Sequence, residues 1–233
     1  MMPLDRHYDD GFGATAEAFY RSALALRVEN ENRVFFEHLP QNYLLRHAIE
    51  LFLKSEIIII HRKLKLPFGD QPSTSQPKVF VENEWVPFYR VHGVADLYAH
   101  WKNLITPNVE SLKNLCKYKP DWTIEPDLDH WISFIEKTDP NSTYYRYPAN
   151  RDPNEDKKKS PFKEIKEQDL FPADLPPDKK VKALVVENEN REFVRAYVLD
   201  VDVEKDATEA LLRAADNLNN YHAMMRIELT GGW

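Results

Sequence analysis

Residues 42–60 read NYLLRHAIELFLKSEIIII, and this stretch decides the fold. Leu44, Leu45, Ala48, Ile49, Leu51, Phe52 and Leu53 put an apolar side chain on nearly every side of a helix. That pattern predicts a rod in the middle of a bundle rather than on its surface. Arg46, His47, Glu50 and Lys54 interrupt the run. Arg46 to Glu50 and Glu50 to Lys54 are four-residue steps, and His47 to Glu50 is a three-residue step, so the four can meet along one stripe. An orphaned charge in a buried rod costs roughly 3–5 kcal/mol, so distant parts of the chain are expected to supply partners. Two readings of the stripe stand side by side: a structural ion-pair ladder, or the floor of a pocket that faces a second polar segment.

The bulk composition narrows the class. Hydrophobic residues make up 42% of the 233 and the formal charge is −7, which suits a globular chain and argues against a non-specific grip on nucleic acid. One cysteine, Cys116, permits no internal disulfide, and a reducing cytoplasm is the expected home. The first residues, MMPLDRHYDDGFG, carry no hydrophobic signal region. The long apolar run holds Arg46, Glu50, Lys54 and Glu56, so no membrane span is expected.

Working outward from the rod, Thr15 is expected to cap a helix over AEAFYRSALALRVE, behind a loose lead-in at residues 1–13. Pro40 fits the start of the central helix, with Asn42 as its cap, and the basic HRKLK at residues 61–65 fits its end. KVFVENEWVPF predicts a small β-hairpin. A helix follows over residues 93–105, and Pro107 is expected to open a separate segment. Another short helix follows Pro126. A second hairpin is expected in VKALVVENENREFVRAYVLDVDV, then a last helix capped by Asp206 or Thr208. The predicted fold is mainly α, a helical bundle with one or two small β-hairpins inserted or appended. It divides into the bundle at 14–148, an exposed Pro/Lys-rich loop at 149–180, and a hairpin plus C-terminal helix at 181–233 that packs on the bundle.

Several residues carry candidate chemistry. His92, Asp96 and His100 are spaced four and four, a metal-like arrangement if all three share a helix. Gly93 directly after His92 and the lack of a fourth ligand argue against it, and no metal site is predicted. Arg146 in YYRYP is ringed by Tyr144, Tyr145 and Tyr147. It can stack on rings while offering its fork to a carboxylate or phosphate, or it can close a salt bridge to Glu50 or Asp139. Arg33 and His38 form an Arg-x4-His pair that chance alone would supply. Lysines 157–159, 163 and 166 alternate with acids and read as a solvated loop. Cys116 lies among lysines, which would lower its thiol pKa. There is no Gly-rich phosphate loop, no G-x-S-x-G and no H-E-x-x-H, so no cofactor is predicted.

YLLRHAIELFLKS, with FYRSALAL before it, DLYAHWKNL after it and an RYP loop further on, resembles the bacterial HEPN-like helical proteins. The likeness covers roughly residues 15–148. It implies an all-helical bundle, often dimeric, with a link to RNA metabolism, toxin–antitoxin pairs or phage defence. Its implied partners are an RNA or nucleotide and a protein from a neighbouring gene. Carried across, the resemblance points to His47, Glu50 and Lys54 on the central helix, Asp96 and Leu97 on the next, and Arg146, Tyr147 and Pro148 on the loop. Ala95 stands where the family has the histidine of its "HDL" motif. The family's ribonucleases use a late Arg-x4-6-His pair, whereas Arg213 and His222 here are too far apart. The expectation is therefore a HEPN-like binding or scaffold protein without catalysis, with Arg46, His47, Glu50, Lys54, Asp96, Arg146 and Tyr147 as its polar-site residues. The alternatives are a metal-independent ribonuclease, pairing His47 with Arg146 or His38 with Arg33, and an anionic-nucleotide pocket gripped by Arg146 and Lys54.

Overall fold

A computed structural model describes residues 3–26, 38–147, 149, 152–169, 183–200 and 202–232. The apolar rod is helix α2, His38–Leu64, and every residue from 48 to 61 within it is buried. Three helices enclose it: α1 (Phe12–Ala25), α3 (Val94–Leu115) and α6 (Lys205–Met225). Helix α4 (Leu128–Thr138) closes the bundle against α3 and α6, burying Leu128, Ile132 and Ile135. The chain is thus mainly helical, with two small antiparallel sheets. No helix among the described residues is long and apolar enough to cross a membrane.

The first sheet is the expected hairpin, β1 (Lys78–Val81) and β2 (Glu84–Pro87). Its two turn residues, Glu82 and Asn83, both have positive φ, at 48° and 70°, the backbone of the tight turn that matches strand twist. The second sheet has three strands. Helix α5 (Pro153–Lys159) leads into β3 (Phe162–Ile165), which pairs with β5 (Phe193–Leu199), and β5 pairs with β4 (Ala183–Glu187). The sequence predicted a hairpin here and an exposed loop before it. Part of that loop supplies α5 and a strand, and Lys159 within it is buried over the Tyr144 ring. Residues 170–182 lie outside the described residues.

Several boundaries differ from expectation for local reasons. Helix α2 is already formed at His38, so Pro40 sits in its first turn, where a missing N–H costs nothing, and Asn42 is a buried helical residue rather than a cap. Pro107 does not divide the chain: α3 runs through it. Ile105 and Leu112 on either side are both fully buried, and the Asn108 side chain donates to the Leu104 carbonyl at 2.8 Å beside the proline. Helix α1 begins at Phe12 and is capped from outside by Asp9, not Thr15. Helix α6 follows Glu204 in a left-handed conformation that makes no side-chain cap bond, in place of the expected Asp206 or Thr208 cap.

Glu56 lies fully buried in α2. Burial drives its carboxyl well above the usual range, with Trp101 working against that. Such a group stays protonated in the fold while its unfolded counterpart ionises, so its contribution is present at low pH and lost as pH rises toward the folded pKa, at up to about 1.4 kcal/mol per pH unit. Replacing Glu56→Leu should flatten that slope. Urea denaturation at about pH 5 and about pH 8 should show wild type losing more stability than the variant on going to the higher pH; parallel losses would refute the assignment.

Candidate functional site

Arg46, Glu50 and Lys54 do meet along one stripe of α2, and all three are buried. Lys54 Nζ donates to Glu50 Oε1 at 2.7 Å, and Arg46 Nη1 to Glu50 Oε2 at 3.4 Å. The outside partners come from two other segments. His92, just ahead of α3, places Nδ1 3.1 Å from Glu50 Oε1 and accepts Arg46 Nη2 on its carbonyl at 2.6 Å. Asp139, at the end of α4, sets Oδ2 4.0 Å from Arg46 Nε. Its Oδ1 accepts the Thr143 and Tyr144 amides at 2.7 and 2.9 Å, so the carboxylate that faces Arg46 also shapes the turn leading to Arg146. Two cations therefore face two carboxylates. Burial works against the Glu50 charge, but Lys54, Arg46 and His92 more than offset it and hold the carboxyl below its usual range.

His47 does not join this ladder. Its ring stands edge-on to Phe19 of α1, centroids 4.6 Å apart, and lies parallel to Tyr43 at 6.1 Å. Burial pushes its pKa down; Glu50 opposes that, and Lys54, Arg146 and Arg46 add to it, so the imidazole is neutral at pH 7. Arg146 is exposed and bonds neither Glu50 nor Asp139, the acids of its salt-bridge alternative; Arg46 occupies that place. The Arg146 guanidinium sits 5.7 Å over the Tyr43 ring instead. Tyr147 is half exposed and lines an open cleft of about 840 Å³ with Lys137, Asp139, Tyr144 and Asp152. Asp96 stands apart from all of these, exposed in the first turn of α3, where burial and the Glu82 charge raise its carboxyl.

The other sequence candidates separate. His92 points to Glu50, while His100 is buried against His61, with Nε2 atoms 3.2 Å apart. Among the described residues no three metal-ligating side chains converge. His38 Nε2 donates to the Lys159 carbonyl at 3.0 Å; Arg33 and Pro148 lie outside the described residues. Cys116 contradicts its expectation: burial and Glu228 push its thiol up rather than down, Trp122 opposing, while Lys113 pairs with Glu110 and Lys117 lies over the Tyr118 ring.

Two polar clusters escaped the sequence reading. Asp9 is buried and accepts from the Gly11 and Gly13 amides at 3.1 and 2.7 Å and from the Ser55 hydroxyl, with His222 Nε2 at 3.7 Å. Burial opposes its charge, yet these donors hold its carboxyl far below the usual range. Gly13 is obligatory here, since a Cβ would fall 2.0 Å from His222 Nε2. The pair Asp9-Asp10 followed by Gly-Phe-Gly ahead of an apolar periodic run was the available signal. The second cluster is the His61–His100 pair, boxed by Phe68 and Trp85. His61 Nδ1 donates to the Leu66 carbonyl, so His61 Nε2 must accept from His100 Nε2–H. Burial and His61 push His100 down to about 4. No sequence spacing announces this pair.

No family model, no curated protein and no solved structure matches the chain.

Replacing Glu50→Ala leaves Arg46 and Lys54 buried without their shared carboxylate and should cost roughly 3–5 kcal/mol. Replacing His92→Ala removes only a half-exposed partner and should cost about 1 kcal/mol. Equilibrium urea unfolding of both variants measures the difference, and equal small losses would show that Glu50 is not the hub.

Proposed function

We propose that the chain is a HEPN-like helical protein that binds single-stranded RNA, or a nucleotide, without cutting it. What supports the family reading is the order of four segments along the sequence, carried on a mainly helical fold. What carries the binding reading is Arg146. Its exposed guanidinium has no carboxylate partner among the described residues and lies over Tyr43, whose ring runs parallel to that of His47. Cationic groups set against aromatic faces suit bases that stack and phosphates that pair, with little sequence preference. Tyr147 and Lys137 continue this surface along the neighbouring cleft. Lys54 takes no part, because Glu50 already holds it.

Absence of cleavage is supported by the fate of the histidines. His222, in α6, is buried beside Asp9, and His47 is half-buried with its ring against Phe19 and Tyr43. The ribonuclease reading keeps one favourable observation: His92 is 55% exposed at its side chain with Nδ1 tied to a buried carboxylate, an orientation that leaves Nε2 outward to move a proton. We also place the protein in the cytoplasm, which suits its single buried thiol, acting as a homodimer beside a protein encoded by a neighbouring gene.

Fluorescence anisotropy with a labelled single-stranded oligoribonucleotide tests the proposal. Arg146→Ala and Tyr43→Ala should each weaken binding by about 1–3 kcal/mol, tenfold or more, and affinity should fall with added salt. The oligonucleotide should remain intact after incubation with wild type. Unaltered affinity in both variants would refute the surface; cleavage lost in His92→Ala would establish the ribonuclease.

A further inference from the structure

The three-stranded sheet has two unlike edges. On one side β3 is short, carries Lys163 and Glu164, and is tied back to α5 where Lys163 Nζ donates to the Lys157 and Lys158 carbonyls at 3.4 and 3.1 Å. On the other side β4 reads ALVVE and is exposed at all five positions. Leu184, Val185 and Val186 are 58%, 43% and 39% exposed, and Val194 on β5 adds a fourth apolar side chain. Edge strands are ordinarily protected by lysine, proline, a bulge or a covering element, because an open row of backbone N–H and C=O groups recruits another strand. β3 has such protection. β4 holds neither lysine nor proline, and its one irregularity falls at its end, between Val186 and Glu187.

We propose that β4 is the surface at which two copies of this chain pair, antiparallel about a two-fold axis at Val185, to form one continuous six-stranded sheet. The inference takes up the homodimer in the proposed function and is independent of what Arg146 binds. A second copy fits for reasons of pattern and charge. Two-fold contacts bring one patch against itself, and β4 is self-complementary under that operation. Leu184 falls opposite the partner's Val186, and Val186 opposite the partner's Leu184, on the sheet face that also carries Tyr197 and Arg195. Ala183 falls opposite the partner's Glu187. The single charge of the strand thus meets a methyl group. The two Glu187 carboxylates lie about 14 Å apart along the seam, at about 3.4 Å per residue, beyond the screening length of roughly 8 Å at physiological salt. A parallel, in-register pairing would instead set them side by side at about 5 Å. In a chain of formal charge −7, a seam free of facing acids is where a second copy can approach.

Disulfide trapping tests the register. In a Cys116→Ser background, Val185→Cys places two thiols across the axis, with Cα atoms about 4.5–5.5 Å apart, inside the disulfide range. Glu187→Cys places them about 14 Å apart, outside it. Mild oxidation should convert the first variant to a covalent dimer and leave the second uncrosslinked. Light scattering on wild type should give twice the 27.4 kDa chain mass, and Leu184→Lys with Val186→Lys should halve it with an unaltered far-ultraviolet circular dichroism spectrum. If the lysine variant misfolds, the trapping result on the near-native chain decides alone. A wild type that is monomeric at its highest soluble concentration overturns both the dimer and this surface, leaving β4 to a strand from a different protein. A dimer that resists trapping at Val185 and survives the two lysines keeps the homodimer and overturns β4 as its seam.

Discussion

A carboxylate in the middle of a greasy helix governs this structure. Glu50 takes Lys54 on one oxygen and Arg46 on the other, and it reaches His92 besides. Helix α2 could not be buried all round with two bare cations on it, since the desolvation of either would exceed what its apolar neighbours contribute. With Glu50 between them, and Asp139 behind Arg46, the charges balance and the rod can take the centre of the bundle. The start of α3 and the end of α4 are positioned by the same requirement, because each supplies one of the remaining partners.

That lattice also decides where ligand chemistry is available. Every charge on the stripe is consumed internally, so the stripe is a structural element whose polar appearance in the sequence overstates its reactivity. Its influence on the surface is indirect. Asp139 holds the 143–144 amides while it faces Arg46, and the turn so fixed sends Arg146 outward over Tyr43. A buried ion pair and an exposed cation–ring contact are therefore two ends of one arrangement.

How much of this was legible beforehand depends on how local the cause is. The rod and the Arg46–Glu50–Lys54 ladder were readable because helical periodicity alone brings those residues together. How the ladder would be completed was legible only in part: Asp139 reads as a partner for Arg146 rather than Arg46, and His92 as part of a metal-like spacing rather than a partner of Glu50, because both arrive from segments remote in sequence, just ahead of α3 and just after α4. Of the two readings of Arg146, the salt bridge named the place that Arg46 fills, and the stacking named rings other than that of Tyr43, which it meets; two arginines that compete for one acid are not told apart by sequence distance. Pro107 read as a break by local rules, yet the apolar stripe from Ile105 to Leu112 outweighed it. Asp9 read as part of a polar lead-in although its position ahead of a helix was a capping signal. β3 is too polar to show a strand pattern and exists through its pairing with β5.

The fastening of Asp9 to Ser55, with His222 against it, bears on how the molecule is made. Helix α2 is made after α1 and before α3, and it can pack against both as they emerge. The side of α2 that packs on α6 stays open until that helix is made well over a hundred residues later, since contacts this remote in sequence close last and slowly. A nascent chain would therefore hold one side of its central apolar helix uncovered until α6 is made, and the protein's demand for chaperone protection should be concentrated in that interval.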